Sequence, residues 1–486
     1  MTLTKGLYKF DLFQTTLFEH GLFPNQISGL KYTPALCYLR ASPLQPSPRP
    51  ALPVPSAIMD LQLFQDLNQL QPGCTLRSRI VTLDDRDGLR MHLIEAFPSI
   101  ASEHTSLPLI LLLHGFPELA YSWRKVLAPL SAARGGYHVV APDLRGYGRT
   151  VTQHEETPKQ IQYDDPITPF HVLNAAEDIC SLVKALGHGS VALLVGHDFG
   201  SLVAGYSITA HPELFRSVVF MSVPFAGVEQ PQQPHLHNRG DPADIAGAKD
   251  KPLTTLAQAV STVLAALTPP RKHYTSYFST RDANRDMIGE CQEDLYRFLG
   301  GYYHMKSGAW EGNTAHPLPS ASNPAPTIDA IARDLATLPE YYVMPAHENM
   351  RQLIERHATL HPHFTWPSDD AEVGRVYTSE FARTGFQGGL NYYRCALSSP
   401  PVELVDKLIA LSGYKARVPA AFISGARDWG VYQKPGAVEK MRHLFGMQSD
   451  DVVLIEGAGH WVQQETPDQV IAALLQFLEK VEKKST

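Results

Sequence analysis

Cysteine is sparse, positive charge is not in excess, and no long apolar run occurs in this chain of 486 residues. The cysteines are Cys37, Cys74, Cys180, Cys291 and Cys395, an odd number with no two at metal-ligand or redox spacing. A disulfide framework is therefore excluded as the organising device, and a reducing compartment, the cytoplasm, is expected. The formal charge of −7 argues against nucleic acid and against an anionic membrane as partners. The lysines near the C-terminus read as a solvated tail. No stretch approaches the ~20 apolar residues of a membrane span, so no anchor is expected. Lys9, Asp11 and Glu19 break up any secretory-leader core at the N-terminus. Gly146 and Gly148 lie in a turn after Asp143, but no nucleotide fingerprint follows them, and no internal repeat is visible.

Hydrophobic residues make up 44 % of the chain, enough for a large core. Residues 42–57 are rich in proline, serine and alanine, the composition of an extended linker. Residues 1–58 are accordingly read as an extension that the folded part does not need. From about residue 75 the pattern alternates between strand and helix. Arg77 to Leu83, Arg90 to Ala96, Leu109 to Leu113, His138 to Pro142, Val191 to Val195 and Val218 to Met221 read as strands. Ala175 to Leu186 reads as an amphipathic helix ending near Gly187. From 226 to 400 the chain turns polar, helical and loop-rich. The apolar stretch Leu253 to Leu267 in it is interrupted by Gln258, Ser261 and threonines, which suits a helix of this region better than an anchor. Core-type strands return at Ala420 to Ile423 and Val452 to Ile455. This order predicts an α/β fold, a mostly parallel doubly wound sheet formed by 59–225 and 401–486 with a helical cap inserted at 226–400.

The strand Val191 to Val195 runs into Gly196-His197-Asp198-Phe199-Gly200, a small-x-nucleophile-x-small turn with aspartate as the nucleophile. An aspartate between strand and helix also reads as a helix cap, so its partners decide. Asp428 follows the strand at 420–423, and His460 follows the one at 452–455 within Gly457-Ala458-Gly459-His460. Nucleophile, acid and histidine thus stand in the chain order of a hydrolase triad, each at a C-terminal strand end. A carboxylate nucleophile forms an alkyl ester with a substrate carbon. That points to an electrophilic sp³ carbon, as in an epoxide or a halide. His460 then activates water, and Asp428 orients the imidazole and stabilises its charged form. Glu456 precedes the glycine loop and is read as structural or surface. His114-Gly115-Phe116-Pro117-Glu118 follows a buried-type strand, so the backbone N–H groups of Phe116 and Phe199 are the expected oxyanion hole, worth ~3 kcal/mol each. His114 and His197 are read as structural. His235 and His237, and His357 with His361 and His363, lack a carboxylate or cysteine frame and are read as surface histidines, so no metal is expected.

The segment His114 to Glu118, then Tyr121-Ser122-Trp123-Arg124, and Gly196 to Ser201 resemble epoxide hydrolases of the α/β-hydrolase fold, over roughly residues 75–470. The resemblance implies two cap tyrosines that hydrogen-bond the epoxide oxygen. Asn391-Tyr392-Tyr393-Arg394 is similar to the family's Asn-aromatic-Tyr-Arg and selects Tyr393. His273-Tyr274-Thr275-Ser276-Tyr277-Phe278 resembles its Tyr-x-x-x-Phe and selects Tyr274, with Tyr277 as fallback. Phenols, of pKa near 10, suit the protonation of an alkoxide leaving group. The implied reaction converts a small-molecule epoxide and water to a vicinal diol without a cofactor. Two alternatives stand beside it: a haloalkane or haloacid dehalogenase with the same aspartate, and a non-catalytic ligand-binding member. Dehalogenases commonly hold halide with an indole directly after the nucleophile. Many epoxide hydrolases also carry tryptophan there, and this chain has Phe199.

Overall fold

Strands of four to nine residues, mostly apolar in the middle of the sheet and mixed at its N-terminal edge, form one large sheet. The computed structural model describes residues 73–84, 87–99, 107–152, 160–230, 255–360, 366 and 371–485. Its strands are β1 (Cys74–Thr82), β2 (Arg90–Pro98), β3 (Leu109–Leu113), β4 (His138–Pro142), β5 (Val191–His197), β6 (Val218–Met221), β7 (Arg271–His273), β8 (Val343–Pro345), β9 (Ala420–Gly425) and β10 (Val452–Ile455). Eight of them form the sheet β1-β2-β4-β3-β5-β6-β9-β10. The pairs β1–β2 and β2–β4 are antiparallel and the rest are parallel. Every residue of β3, β4, β6 and β9 is buried, because helices cover both faces of a parallel sheet. The helix Val172–Ala185 is one such cover. It starts where the His171 ring accepts the Leu173 N–H at 3.2 Å, and it buries Leu173, Ala176, Ile179, Cys180 and Val183 along one side.

Between β6 and β9 the described chain is mainly helical. The apolar stretch expected at 253–267 is the helix Leu256–Ala265, opened by a Thr255–Gln258 capping box. The ribbon β7–β8 was not expected. Three residues per strand are too few to show alternation, and Arg-Lys-His carries no apolar signal. The proposed extension 1–58 and residues His235, His237, His361 and His363 lie outside the described residues. His357 pairs with Glu340 at 3.0 Å. Among the described residues no cluster of side chains is placed to hold a metal, and no helix is long and apolar enough to cross a membrane.

Two glycines seat the helix Gln387–Leu397 on the sheet's loops. A Cβ on Gly388 would overlap the Gly146 carbonyl, and one on Gly389 would lie 2.7 Å from both the Phe116 ring and the Tyr147 hydroxyl. The helix thus approaches the loops after β3 and β4 closely enough for Tyr392 Oη–H to donate to the Arg145 carbonyl at 3.0 Å. Arg145 in turn makes a two-pronged pair with Asp178 at 2.8 and 2.7 Å, both side chains buried. Breaking a buried pair from one side leaves the other charge uncompensated, at about 3–5 kcal/mol. Arg145→Met is therefore expected to lower stability by about that amount in chemical denaturation, and Arg145→Lys by less. A change under about 1 kcal/mol for the Met variant would show that the pair is not holding this layer.

Candidate active site

Strand β5 ends in a turn that only small neighbours permit. Asp198 has φ 52° and ψ −116°, a strained left-handed conformation for a residue with a side chain. A Cβ on Gly196 would overlap the Gly200 carbonyl, and one on Gly200 would overlap the Leu113 carbonyl. The turn is closed by Asp198 N–H donating to Met221 O at 3.1 Å and Ser201 N–H donating to Asp198 O at 3.0 Å. The Asp198 side chain therefore stands at the C-terminal ends of β3, β5 and β6.

Its carboxylate is buried, with 6 % exposure. Phe116 N–H donates to Oδ1 at 3.0 Å. The Phe199 N–H makes no hydrogen bond to it, so of the two expected oxyanion donors one is engaged here. His460 Nε2 lies 3.6 Å from Oδ2, an ion contact longer than a hydrogen bond. His460 Nδ1 sits 3.1 Å from each oxygen of Asp428. Asp428 is held in turn by Gly430 N–H at 2.7 Å and Ser424 Oγ–H at 3.2 Å. Nδ1 thus donates to Asp428, and the buried Nε2 has no hydrogen-bond partner and faces Asp198. Burial pushes the carboxyl of Asp198 up. The hydrogen-bonding capacity and charge of His460, with Lys306 and His197, outweigh it and hold Asp198 ionised far below the usual carboxylate range. For Asp428 burial is likewise outweighed by His460 and Lys306.

The histidine's backbone is clamped as firmly as its ring. Its carbonyl accepts from His197 Nε2–H at 2.8 Å and Ser222 Oγ–H at 3.1 Å, and its N–H donates to Lys306 O at 2.8 Å. His197 Nδ1 meets Glu118 at 2.6 Å, so both ring nitrogens face acceptors, an arrangement that suits the imidazolium. Glu118 also receives Gly115 N–H and the side-chain amides of Gln463 and Gln464. His114 is different. It donates to Gly115 O and accepts Leu144 N–H, a neutral ring in a loop bracket, and burial lowers its proton affinity. Glu456 is exposed.

Tyr393 stands over the elbow, its ring centroid 4.7 Å from Phe199, 5.4 Å from Phe116 and 5.8 Å from Tyr274. Tyr274 Oη–H donates to Gln433 at 3.2 Å. Tyr277, the fallback, is turned away to Asp286 at 3.4 Å. Burial, aided by the nearby Asp198 charge, pushes both the Tyr274 and Tyr393 phenols up, so they are proton donors across the physiological range. The structure thus brings together Asp198, His460, Asp428, Phe116, Tyr393 and Tyr274.

A family model described as "alpha/beta hydrolase fold" matches residues 108–285. Epoxide hydrolase B of Mycobacterium tuberculosis is 31 % identical over 384 residues, 76 % of this chain and 91 % of that protein. The chain belongs to the epoxide hydrolase family of the α/β-hydrolase fold. Other epoxide hydrolases agree. Epoxide hydrolase A of M. tuberculosis is 29 % identical over 82 % of this chain and 97 % of its own. Among solved structures, an epoxide hydrolase from an endophytic Streptomyces superposes with TM-score 0.55 at 26 % identity, over 85 % of this chain and 97 % of its own. Epoxide hydrolase A of M. thermoresistibile gives TM-score 0.53 at 27 % identity, over 83 % and 98 %. The expected fold, a mostly parallel α/β sheet, is the fold of this family.

Three groups at this epoxide hydrolase site escaped the sequence reading: the Glu118–His197 pair, Gln433 and Lys306. The first lies within His114 to Glu118 and Gly196 to Gly200, but its partnership depends on two loops meeting. The other two carry no local signal.

Burial alone would strip the proton from His197, but the Glu118 charge and hydrogen bond raise its proton affinity above the ordinary 6.5. Glu118, pushed up by burial, is brought below the ordinary 4.5 by His197. A raised histidine stabilises fully below its unfolded value and loses that contribution as pH rises through its folded one. A lowered glutamate stabilises above its unfolded value and loses that as pH falls through its folded one. The pair therefore contributes most between the two ordinary values, 4.5 and 6.5. The Tm difference between wild type and His197→Gln is expected to peak in that window and shrink on both sides. A difference independent of pH would remove the ion pair from the account.

Proposed function

We propose that this protein converts an epoxide and water to a vicinal diol through a covalent ester on Asp198. The observation that carries the reading is a buried carboxylate at the elbow, with an imidazole nitrogen 3.6 Å away that has no hydrogen-bond partner, and with the Tyr393 ring packed on Phe199 beside Tyr274. Phe116 N–H holds Oδ1, which leaves Oδ2 to attack an oxirane carbon. The C–O bond of the ring breaks as the ester bond forms, and the oxygen takes a proton from the Tyr274–Tyr393 pair. Water then loses a proton to His460 Nε2 and attacks the ester carbon. Phe116 N–H stabilises the tetrahedral oxyanion. The ester C–O bond breaks; the protonated His460 and the new Asp198 carboxylic acid, which hold the two protons of the water, return them to the released diol oxygen and the phenolate, and Asp198 is left as a carboxylate carrying one water oxygen.

In this reading residues 59–225 and 401–486 are the catalytic core, and 226–400 are a cap that supplies both phenols. The substrate is a small-molecule epoxide, the place of action is the cytoplasm, and residues 1–58 are dispensable for turnover. The pair of phenols in place of an indole after the nucleophile favours epoxide over halide.

Asp198→Asn is expected to abolish diol formation from styrene oxide, and chloride release from 1-chlorobutane is expected to be absent in wild type. His460→Gln should stall after the first step, seen by intact mass as an adduct equal to the epoxide's mass. Tyr393→Phe and Tyr274→Phe should each slow ester formation by ~10²-fold in rapid quench. In single turnover in ¹⁸O-water, the first diol should carry little label and Asp198 should acquire it. Full turnover by Asp198→Asn, or halide release without diol formation, would replace this reading. Binding across aryl, alicyclic and fatty epoxides without turnover would favour a non-catalytic member.

A further inference from the structure

Lys306 ends the helix Gln292–Lys306 and is 4 % exposed. Buried lysines are rare unless paired, yet among the described residues its ammonium forms no hydrogen bond or ion pair. It is surrounded instead by ring faces. Nζ lies 5.5 Å from the centroid of Tyr302, 5.3 Å from Tyr342 and 5.2 Å from Trp461. Such distances give cation–π attraction, which strengthens away from water. The rings belong to its own helix, to the residue before β8 and to the residue after His460. Lys306 also touches the base directly, since its carbonyl accepts the His460 N–H at 2.8 Å.

The groups facing this spot come from every neighbouring element. Asp198 and His197 lie at the elbow, Glu118 after β3, and Asp428 after β9. Glu465 follows His460 and accepts the N–H groups of Gly308, Gly459 and Trp461. Tyr341 and Tyr342 lie beside β8 and Tyr302 on the helix. His197 is spent on Glu118. Asp198 and Asp428 face a single imidazole, so the triad sets two buried carboxylates against one histidine. Lys306 is the remaining cation. Burial pulls its proton affinity below the ordinary lysine value, a fall that Asp198, Asp428 and Glu118 offset only in part.

We propose that Lys306 is a positioning residue for the hydrolytic step: a fixed cation, held off the carboxylates by an aromatic cage, that keeps Asp198 ionised and His460 unprotonated until His460 takes the proton from water. A direct salt bridge to Asp198 would quench the nucleophile. The cage lets the charge act through space without competing for the oxygen that attacks. The proposal rests on the epoxide-hydrolysis reading above.

The test is the pH–rate profile of the full-length protein on a neutral aryl epoxide, with Lys306→Met, Lys306→Gln and Lys306→Arg beside wild type. Removing a positive charge makes proton uptake by the site easier. The acid limb of kcat should therefore move up by about one pH unit in the Met and Gln variants, with a roughly tenfold loss below the limb and little loss well above it. Lys306→Arg should keep the wild-type limb. The Gln variant carries the test if Met does not fold. A uniform loss at all pH values with an unmoved limb would make Lys306 a packing residue and overturn the proposal. So would a KM rise confined to a carboxylate-bearing epoxide, which would make it an anion contact. Turnover by Asp198→Asn would sink the underlying reading instead, and is scored separately.

Discussion

An ionised carboxylate taken out of water costs several kcal/mol unless donors or cations replace its hydration, and Asp198 and Asp428 are buried around His460 while Glu118 is buried against His197. The loops at the C-terminal ends of the sheet are built around that requirement. Phe116 N–H serves Asp198, Gly430 N–H and Ser424 serve Asp428, and Gly115 N–H with two glutamines serves Glu118. Two of the carboxylates also tie distant segments together: Asp198 binds the elbow to the loop after β3, and Glu118 binds that loop to Gln463 and Gln464. The strained turn at Asp198 is sustained by the same bonds, since nothing in the local chain favours a positive φ there.

Aromatic rings complete what the hydrogen bonds begin. Phe116, Phe199, Phe278 and Tyr274 all pack on Tyr393. The two phenols are joined by a hydrogen bond, and Tyr274 donates onward to Gln433. The pair is thus held as one unit beside the elbow.

Much of this was legible in the amino-acid order. Strands such as Leu109–Leu113 and His138–Pro142 stand where apolar runs placed them, because a central parallel strand needs apolar residues on both faces. Asp198, Asp428 and His460 could be found because each follows a strand within a glycine-bearing turn. Tyr393 was separable from Tyr392 only through the resemblance; in the structure Tyr392 is bonded to Arg145 and Tyr393 stands over the elbow. What stayed hidden was set by folding at a distance. Lys306 looks like an ordinary basic residue at a helix end, favourable there for the dipole alone, until three rings from separate segments close on it. Gln433 and the β7–β8 ribbon were invisible for the same reason. Their partners are remote, and neither has a pattern of its own.

The glycine pair Gly388–Gly389 governs how far a substitution in this layer is felt. With no room for even a methyl group between that helix and the loops beneath it, the element bearing Tyr393 is bolted to the catalytic base plate and cannot drift without dragging the phenol off target. The anchoring reaches the neighbouring helix Ala283–Ile288 as well, since Asn284 Oδ1 accepts the Phe386 N–H at 2.7 Å just before the Tyr393 helix begins. A substitution at Gly388 or Gly389 is therefore felt not only beneath the helix but at every segment that shares its seat.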